Sequence, residues 1–305
     1  MRAAAIDVGS NAIRFLAAEV DESGQLESLL FDRAAVRLGR DVFEHGRIGD
    51  ELMDAAVDAL VRFRRRMDEL GITQYRAVAT SAVRDSANGT DLIARTRRAA
   101  GIALEVIDGT EEAELVVRAV RARVPMGREP WLLVDIGGGS VEVTLADARR
   151  TLKTASYPLG AVRLLEHYDA GDAAGARRVI EAQVDAIPLP DEAGRAVGGF
   201  VATGGNADAL ADLLELEPDD GATARLSLES LCETIERLAA ASIEERLSWG
   251  LRPDRADVIL PAAIVYQRLC TRARCDELWI PRVGVREGVI LDVAKHRSVA
   301  GTPDS

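Results

Sequence analysis

The stretch "LLVDIGGGSVEV", residues 132–143, repeats the pattern of "AAAIDVGSNAIR", residues 3–14. In each, an apolar run leads to an Asp, an apolar residue, a glycine turn that carries Ser, and a second apolar-alternating run. Such runs, bounded by glycine, are typical of strands joined by tight turns. Because Asp135 follows Asp7 by 128 residues, the repeat predicts a duplicated unit.

The secondary-structure pattern supports a duplication. Each stretch opens a run of three consecutive predicted strands, which is followed by alternating helices and strands, a pattern typical of an α/β fold. Pro and Gly cluster in "VPMGREP", residues 124–130, which we interpret as a linker. We therefore predict domains at 1–124 and 125–305, with the last helix packing back on the first domain. A ligand is expected in a cleft between them.

Composition excludes several classes of function. A formal charge of −12 argues against nucleic-acid binding. No apolar run approaches the ~20 residues of a membrane span, and a strand pattern from the first residues leaves no room for a signal peptide, so we expect a cytoplasmic protein. The three cysteines and three histidines are scattered, so we predict reduced thiols and a metal held only by carboxylate oxygens.

Three glycine loops are candidate phosphate sites. Glycine lets backbone N–H groups approach a ligand in "DVGSN" (7–11) and "DIGGGS" (135–140). Ordinary hairpin turns use the same residues, but two matched copies favour phosphate binding. The third loop, in "ATGGNADAL" (202–210), is either an anion site at a helix N-terminus or a plain connection. The candidate residues are Gly9, Ser10, Asn11, Gly137, Gly138, Gly139, Ser140, Gly204, Gly205 and Asn206.

Seven segments carry a resemblance to a known family: "AIDVGSNAIR", "VATSAVRDSANG", "VIDGTEEAEL", "LLVDIGGGSVEV", "SYPLGAVRL", "RADVILPA" and "GVREGVI". In this order, from residue 3 to about 291, they resemble the exopolyphosphatase/guanosine pentaphosphate phosphohydrolase family. The resemblance implies an α/β fold of duplicated actin-like (RNase H-like) domains with an interdomain cleft. It also implies a phosphoanhydride hydrolase that uses Mg²⁺ or another divalent cation.

The acidic motif "DGTEEAEL", residues 108–115, has two interpretations. Asp108 and Glu111 fit a capping box at a helix start, which leaves Glu112 without a structural task. The resemblance assigns to Glu112 the activation of the attacking water. A helix N-terminus lowers the pKa of a carboxylate and a neighbouring polyanion raises it, so substrate could tune Glu112 as a base.

The resemblance also implies a metal and catalytic set. Asp135 and Glu142 match family residues implicated in Mg²⁺ binding and catalysis, and Asp7 is the counterpart of Asp135 in the first repeat. Hard carboxylate oxygens suit Mg²⁺ on phosphate. The alternative for Glu142 is a solvent-facing position on an alternating strand.

Four more residues of the family motifs are candidate phosphate ligands: Arg14, Ser81, Arg84 and Arg286. Guanidinium groups can each form two bonds to phosphate oxygens. For Arg286, an ion pair between the domains is an equal alternative.

The predicted function is Mg²⁺-dependent removal of the terminal phosphate from inorganic polyphosphate. Longer family members carry a further helical region after this core, so we expect short polyphosphates as substrates. Guanosine pentaphosphate is the alternative substrate. An ATPase or kinase of the same superfamily, and a non-catalytic phosphate-ligand sensor, are alternative functions. A homodimer is expected only by analogy with the family.

Overall fold

The computed structural model describes residues 1–21, 24–168, 173–189, 197–218 and 223–300, with side chains described as far as 296. The chain divides into two compact units. Unit 1 comprises Met1–Ala122 and the chain from Val283 onward, and unit 2 comprises Arg123–Arg282.

Unit 1 is built on a five-stranded sheet of order β3-β2-β1-β4-β5. β1 is antiparallel to β2 and parallel to β4, which is parallel to β5, so the carboxyl ends of these three parallel strands share one edge. Its elements before the linker are β1 (Arg2–Val8), β2 (Ile13–Val20), β3 (Leu26–Ala34), α1 (Leu38–His45), α2 (Asp50–Glu69), β4 (Tyr75–Ala79), α3 (Ser81–Asp85), α4 (Gly89–Ala100), β5 (Leu104–Val106) and α5 (Gly109–Arg121).

The unit 1 core forms where α2 covers one face of the sheet. The helical spacing of Met53, Val57, Leu60 and Met67 predicts one apolar face. All but the half-buried Val57 are buried, as is Phe63. The Phe63 ring stacks on Phe15 of β2 with a centroid distance of 5.3 Å. The opposite face of the sheet is therefore left for other elements.

Unit 2 is built on a six-stranded sheet of order β10-β11-β9-β6-β7-β8. Its central run β9-β6-β7-β8 reproduces β4-β1-β2-β3 of unit 1 in order and strand direction, which confirms the duplication. A 3₁₀ turn spans Arg163–His167. The other elements are β6 (Trp131–Ile136), β7 (Val141–Ala146), β8 (Thr151–Tyr157), α6 (Ala173–Asp185), β9 (Phe200–Thr203), α7 (Gly205–Leu213), β10 (Ala224–Ser227), α8 (Leu228–Ala240), α9 (Ile243–Ser248), α10 (Pro253–Ala256), α11 (Ile259–Arg272) and β11 (Glu277–Ile280).

The last helix, α12 (Val285–Ala300), belongs to unit 1 and packs on α5, β1 and β2. A Cβ at Gly288 would collide with the backbone carbonyl of Leu115 in α5, so glycine permits this close helix contact. The sequence predicts a frayed tail at 298–305. The structure carries the helix to Ala300, and residues 301–305 lie outside the described residues.

Other local predictions were wrong. The helix predicted at 254–272 was expected to break at Pro261, but the break separates α10 from α11 at 257–258. Pro261 lies in the first turn of α11, where backbone N–H groups have no intrahelical acceptor, so the N–H that proline lacks is not needed. The helix predicted near 160–167 is only the 3₁₀ turn, and α1, α3, α9 and β10 were not predicted. Within the described ranges no helix has both the length and the apolar character needed to span a membrane.

Candidate active site

The first glycine loop and the "TSAVRD" segment meet in unit 1. Gly9 N donates to Ala12 O at 3.2 Å and closes the turn between β1 and β2. The Oγ atoms of Ser10 and Ser81 are 2.9 Å apart and buried. Ser81 begins α3 two residues after the end of β4. The predicted residues Ser10 and Ser81 therefore lie together at the carboxyl ends of two adjacent parallel strands, where α/β proteins bind ligands.

Arg84 joins this loop region to α5. Its Nη1 donates to the carbonyl of Ile107 at 2.9 Å, one residue before Asp108, the N-cap of α5. Its Nε is 3.7 Å from Asp85 Oδ1. The third parallel strand end is therefore tied to the first two by a guanidinium.

Asp7 lies on β1 opposite Arg14 on β2. Arg14 Nη1 is 3.5 Å from Asp7 Oδ2. Burial raises the pKa of Asp7, and the charges of Arg14 and then Arg286 offset part of that rise. Asp7 thus stands in a buried environment with arginines as its electrostatic partners.

Arg286 lies in the first turn of α12, in unit 1. Its guanidinium carbon is 4.8 Å from the centre of the Phe31 ring, and its Nη2 is 3.5 Å from Glu287 Oε1. The described contacts of Arg286 therefore lie within unit 1, beside the row formed by Asp7 and Arg14.

Glu112 is a buried carboxylate in the first turn of α5, 7% exposed. Asp108 Oδ1 accepts from the backbone N–H groups of Thr110 and Glu111, both at 2.9 Å. Glu111 Oε1 accepts from Arg76 Nη2 at 2.5 Å, so only the Asp108 half of the predicted capping box is formed. The two neighbouring glutamates therefore differ: Glu111 forms a partly buried ion pair with Arg76, and Glu112 is buried at the positive end of a helix.

In the second glycine loop, the carbonyl oxygens of residues 137–139 accept hydrogen bonds from segment 160–163. A Cβ at Gly160 would collide with the backbone of Gly138 and Gly139, so glycine is required for this approach. The bonds are Ala161 N to Gly137 O at 2.9 Å, Val162 N to Gly138 O at 2.9 Å, Arg163 N to Gly138 O at 3.2 Å, and Arg163 Nε to Gly139 O at 3.2 Å.

The orientation of these carbonyls determines where the loop's N–H groups point. In a planar trans peptide, the C=O of one residue and the N–H of the next point in opposite directions, and no cis bond occurs in the described chain. The N–H groups of Gly138, Gly139 and Ser140 therefore point away from segment 160–163. Successive N–H groups presented on one side are the arrangement found in anion-binding concavities, and phosphate binding by this loop stays a prediction.

Asp135 and Glu142 occupy directly opposite positions on β6 and β7. Both are buried, at 8% and 2% exposed, so the alternative of a solvent-facing Glu142 is wrong. Ser156 Oγ, from β8, donates to Glu142 Oε1 at 2.7 Å. Opposite side chains on antiparallel strands have Cβ atoms about 5 Å apart, where like charges are destabilising, so this pair favours a bound cation.

The third glycine loop lies directly against Asp135. Gly204 has φ +92°, and a Cβ there would lie 2.5 Å from Asp135 Oδ1 and 3.0 Å from Ile136 O. Thr203 pairs with Asp135 across the parallel strands β6 and β9. Gly205 and Asn206 are buried in the first turn of α7, so in unit 2 the second and third predicted loops adjoin one another.

The carboxylate pair of unit 2 fits a hard divalent cation. Mg²⁺ is usually held by one or two carboxylates together with waters and substrate phosphate. Asp135 and Glu142 can provide the two carboxylates. Across the part of the chain that the structure describes, no group of three or more His, Cys, Asp or Glu side chains could hold a metal by itself. Asp7 is the third predicted metal ligand, and its described ion-pair partner is Arg14.

Two glycines were missed by sequence reasoning, Gly39 and Gly160. Gly39 N donates to Ser10 O at 2.8 Å, and a Cβ there would lie 2.8 Å from Ser10 Cβ. Gly39 therefore packs against the backbone of the first glycine loop, as Gly160 packs against that of the second. Each follows a leucine after the third strand of its unit, so a repeated Leu-Gly pair is the signal that identifies them.

A sheet core repeated in two units, each with a glycine loop after its first strand, defines an actin-like α/β protein suited to phosphate ligands. The chain belongs to the Ppx/GppA phosphatase family, whose model matches residues 17–297. The predicted fold class and family are confirmed, and the chain is therefore an enzyme of the phosphatase class.

Individual relatives agree with this membership. The chain is 32% identical over 317 aligned positions to Exopolyphosphatase 2 of Mycobacterium tuberculosis, covering 96% of this chain and 98% of that protein. It is similar to the crystal structure of an exopolyphosphatase from Cytophaga hutchinsonii, with 28% identity, a TM-score of 0.86, and coverage of 96% and 98%. An Aquifex aeolicus Ppx/GppA family member shares the fold at 24% identity, with a TM-score of 0.79 and coverage of 97% and 98%.

Proposed function

We propose that this chain is an exopolyphosphatase that hydrolyses the terminal phosphoanhydride bond of inorganic polyphosphate. The observation that carries the proposal is Glu112, a buried carboxylate at the start of α5 whose neighbour Glu111 is engaged by Arg76. The names of the relatives from Mycobacterium tuberculosis and Cytophaga hutchinsonii support the substrate class.

The chemical step needs a base and a field that stabilises charge. Glu112 accepts a proton from water as the water oxygen attacks the terminal phosphorus. The bridging P–O bond breaks, and its electron pair goes to the shortened polyphosphate. The N–H groups of the glycine loops, with Arg14, Arg84 and Arg286, are assigned to the phosphate oxygens, where preorganised donors stabilise the transition state.

A divalent cation, with Mg²⁺ as the first candidate, would be held by Asp135 and Glu142. When bound it supplies positive charge that neutralises phosphate oxygens. Ser156 orients Glu142 by donating to Oε1 at 2.7 Å. We assign Asp7 to the orientation of Arg14, because Arg14 Nη1 lies 3.5 Å from its carboxylate.

Guanosine pentaphosphate is the second candidate substrate, and one observation favours it. Phe31 is 50% exposed, and its ring lies against the Arg286 guanidinium. On β3, Arg33 is opposite Arg14. Phe31 is two residues before Arg33, so its side chain is on the same face of the sheet as Arg14. An exposed aromatic ring beside phosphate-binding arginines suits a purine base, which stacks on such rings.

The test of the substrate class is phosphate release from tripolyphosphate, longer polyphosphates, guanosine pentaphosphate and ATP, with Mg²⁺ varied. The proposal predicts Mg²⁺-dependent release from polyphosphate at the highest kcat/KM. Higher kcat/KM with guanosine pentaphosphate would favour the second candidate. ATP turnover without polyphosphate hydrolysis would contradict both, and so would binding without turnover of any substrate. A cytoplasmic location and a homodimer stay predictions.

A further inference from the structure

We propose that Arg255 and Tyr266 are positioning residues, which hold the third glycine loop, residues 203–206, against Asp135 and orient Asn206 to donate to a phosphate anion. This inference rests on the proposed function, because it assigns the loop to phosphate. It concerns two helices, α10 and α11, that the mechanism does not otherwise use.

Arg255 fixes the orientation of the Asn206 amide. Its Nη1 donates to Asn206 Oδ1 at 3.0 Å, and the two residues are 3% and 1% exposed. Arg255 Nε lies 3.5 Å from Oδ2 of Asp254, also buried. Because a guanidinium only donates, it binds the amide oxygen, and the Asn206 NH₂ must point the other way. Asn206 thereby presents N–H donors, which suit an anion.

Tyr266 holds the other end of the loop. Its hydroxyl donates to Thr203 O at 2.5 Å, and the side chain is completely buried. Burial also raises the pKa of Tyr266 well above its usual value, which keeps the hydroxyl protonated as a donor. Thr203 is the last residue of β9 and the register partner of Asp135.

Gly204 lies between these two tethers, in the left-handed region and in contact range of Asp135. Its neighbours Thr203 and Asn206 are thus held by α11 and α10, respectively. Moving either end of the loop would change both the donors of Asn206 and the space beside Asp135. Loss of the tethers should therefore weaken anion binding more than it weakens the fold.

The test is a double-mutant cycle on binding, made in a Glu112→Gln background so that hydrolysis does not intervene. Calorimetry measures the Kd of tripolyphosphate for Arg255→Met, Asn206→Ala and the double variant. We expect each single variant to weaken binding about 10-fold, the scale of one hydrogen bond to a charged group. The double variant should bind no more weakly than Asn206→Ala, because Arg255 acts through Asn206.

A matched control separates positioning from general damage. Arg272 is a half-buried arginine whose guanidinium donates to the backbone carbonyls of Val184 and Ile187 and has no described contact with α10. Arg272→Met should lower Tm without changing the Kd of tripolyphosphate. If Arg255→Met does not fold, Arg255→Lys and Tyr266→Phe replace it, and the lysine variant should restore part of the affinity.

Two results would overturn the inference: independent, additive effects of Arg255 and Asn206 on the Kd, or equal loss of affinity in the Arg272 control. Failure of the proposed function looks different. In that case the enzyme with Glu112 intact releases no phosphate from polyphosphate, while the coupling between Arg255 and Asn206 in tripolyphosphate binding persists.

Discussion

Gly204 approaches Asp135 so closely that a single added carbon would lie 2.5 Å from the Oδ1 atom of that carboxylate. The contact joins two glycine loops, and the two contacting residues are 69 positions apart in sequence. It makes the third loop one wall of the space around the proposed cation site, and it specifies where a minimal substitution should act.

Gly204→Ala should lower activity beyond its cost in stability. The new Cβ meets Asp135, and φ +92° strains any L-residue by about 1–2 kcal/mol. Gly250→Ala is the control, because Gly250 has φ +89° but no atom within 4 Å of a new Cβ. Gly204→Ala should lose at least as much stability as Gly250→Ala in denaturant unfolding, and only Gly204→Ala should lose kcat. Equal loss of kcat would refute a specific role for the contact.

Gly160→Ala should disrupt the second glycine loop. The methyl group would displace the backbone of residues 138–139, and a displacement of about 1 Å at a reacting centre can cost about 100-fold in rate. We expect a fall of that order in kcat/KM for polyphosphate. Gly127→Ala, where a Cβ meets nothing within 4 Å, should retain wild-type kcat/KM, and an unaffected Gly160 variant would contradict the assigned geometry.

The dependence of activity on Mg²⁺ should separate Glu142 from Asp7. Glu142→Gln removes a proposed metal ligand and should raise the Mg²⁺ concentration for half-maximal activity. Ser156→Ala removes the hydrogen-bond donor to Glu142 and should raise this half-maximal Mg²⁺ concentration about 10-fold. Asp7→Asn, next to Arg14, should raise KM and leave the Mg²⁺ requirement unchanged. A higher Mg²⁺ requirement in Asp7→Asn would contradict this assignment and would indicate that Asp7 is a metal ligand.

Asp7→Asn should also stabilise the protein at neutral pH. Because burial raises the pKa of Asp7 in the folded state, folding favours the protonated form, and the ionised form at pH 7 lowers the free energy of unfolding. The decrease in the free energy of unfolding begins as the pH rises above the usual pKa of aspartate, and it is complete above the pKa of Asp7 in the folded state. The Tm gain of the variant should therefore shrink as pH falls through that window, and a gain that grows on acidification would be inconsistent with it.

Phe31→Ala should distinguish the two candidate substrates. If the ring stacks on guanine, the variant should lose about 10-fold in kcat/KM for guanosine pentaphosphate and much less for tripolyphosphate. Leu29→Ala, another exposed apolar residue on β3, is the control and should affect neither substrate. Equal effects on both substrates would exclude stacking on guanine and would indicate that Phe31 acts only through its contact with Arg286.

The sequence predicts the sheet core well, because local patterns determine it. Both three-strand repeats and α2 follow from apolar periodicity with glycine at the turns. The backing of the loops by Gly39 and Gly160, and the contact between Arg255 and Asn206, depend on segments brought together only by folding. Pro261 misled the helix prediction because proline is compatible with the first turn of a helix, and sequence position alone did not reveal that Glu142 is buried.

The most direct test of the account compares Glu112→Gln with Glu111→Gln in Mg²⁺-dependent phosphate release from polyphosphate. The two residues are adjacent and isosterically changed, but Glu112 is buried and Glu111 is paired with Arg76. We predict that kcat falls about 100- to 10,000-fold in Glu112→Gln and stays near wild type in Glu111→Gln, with both variants folded. A Glu112→Gln enzyme that releases phosphate at the wild-type rate would contradict the central claim.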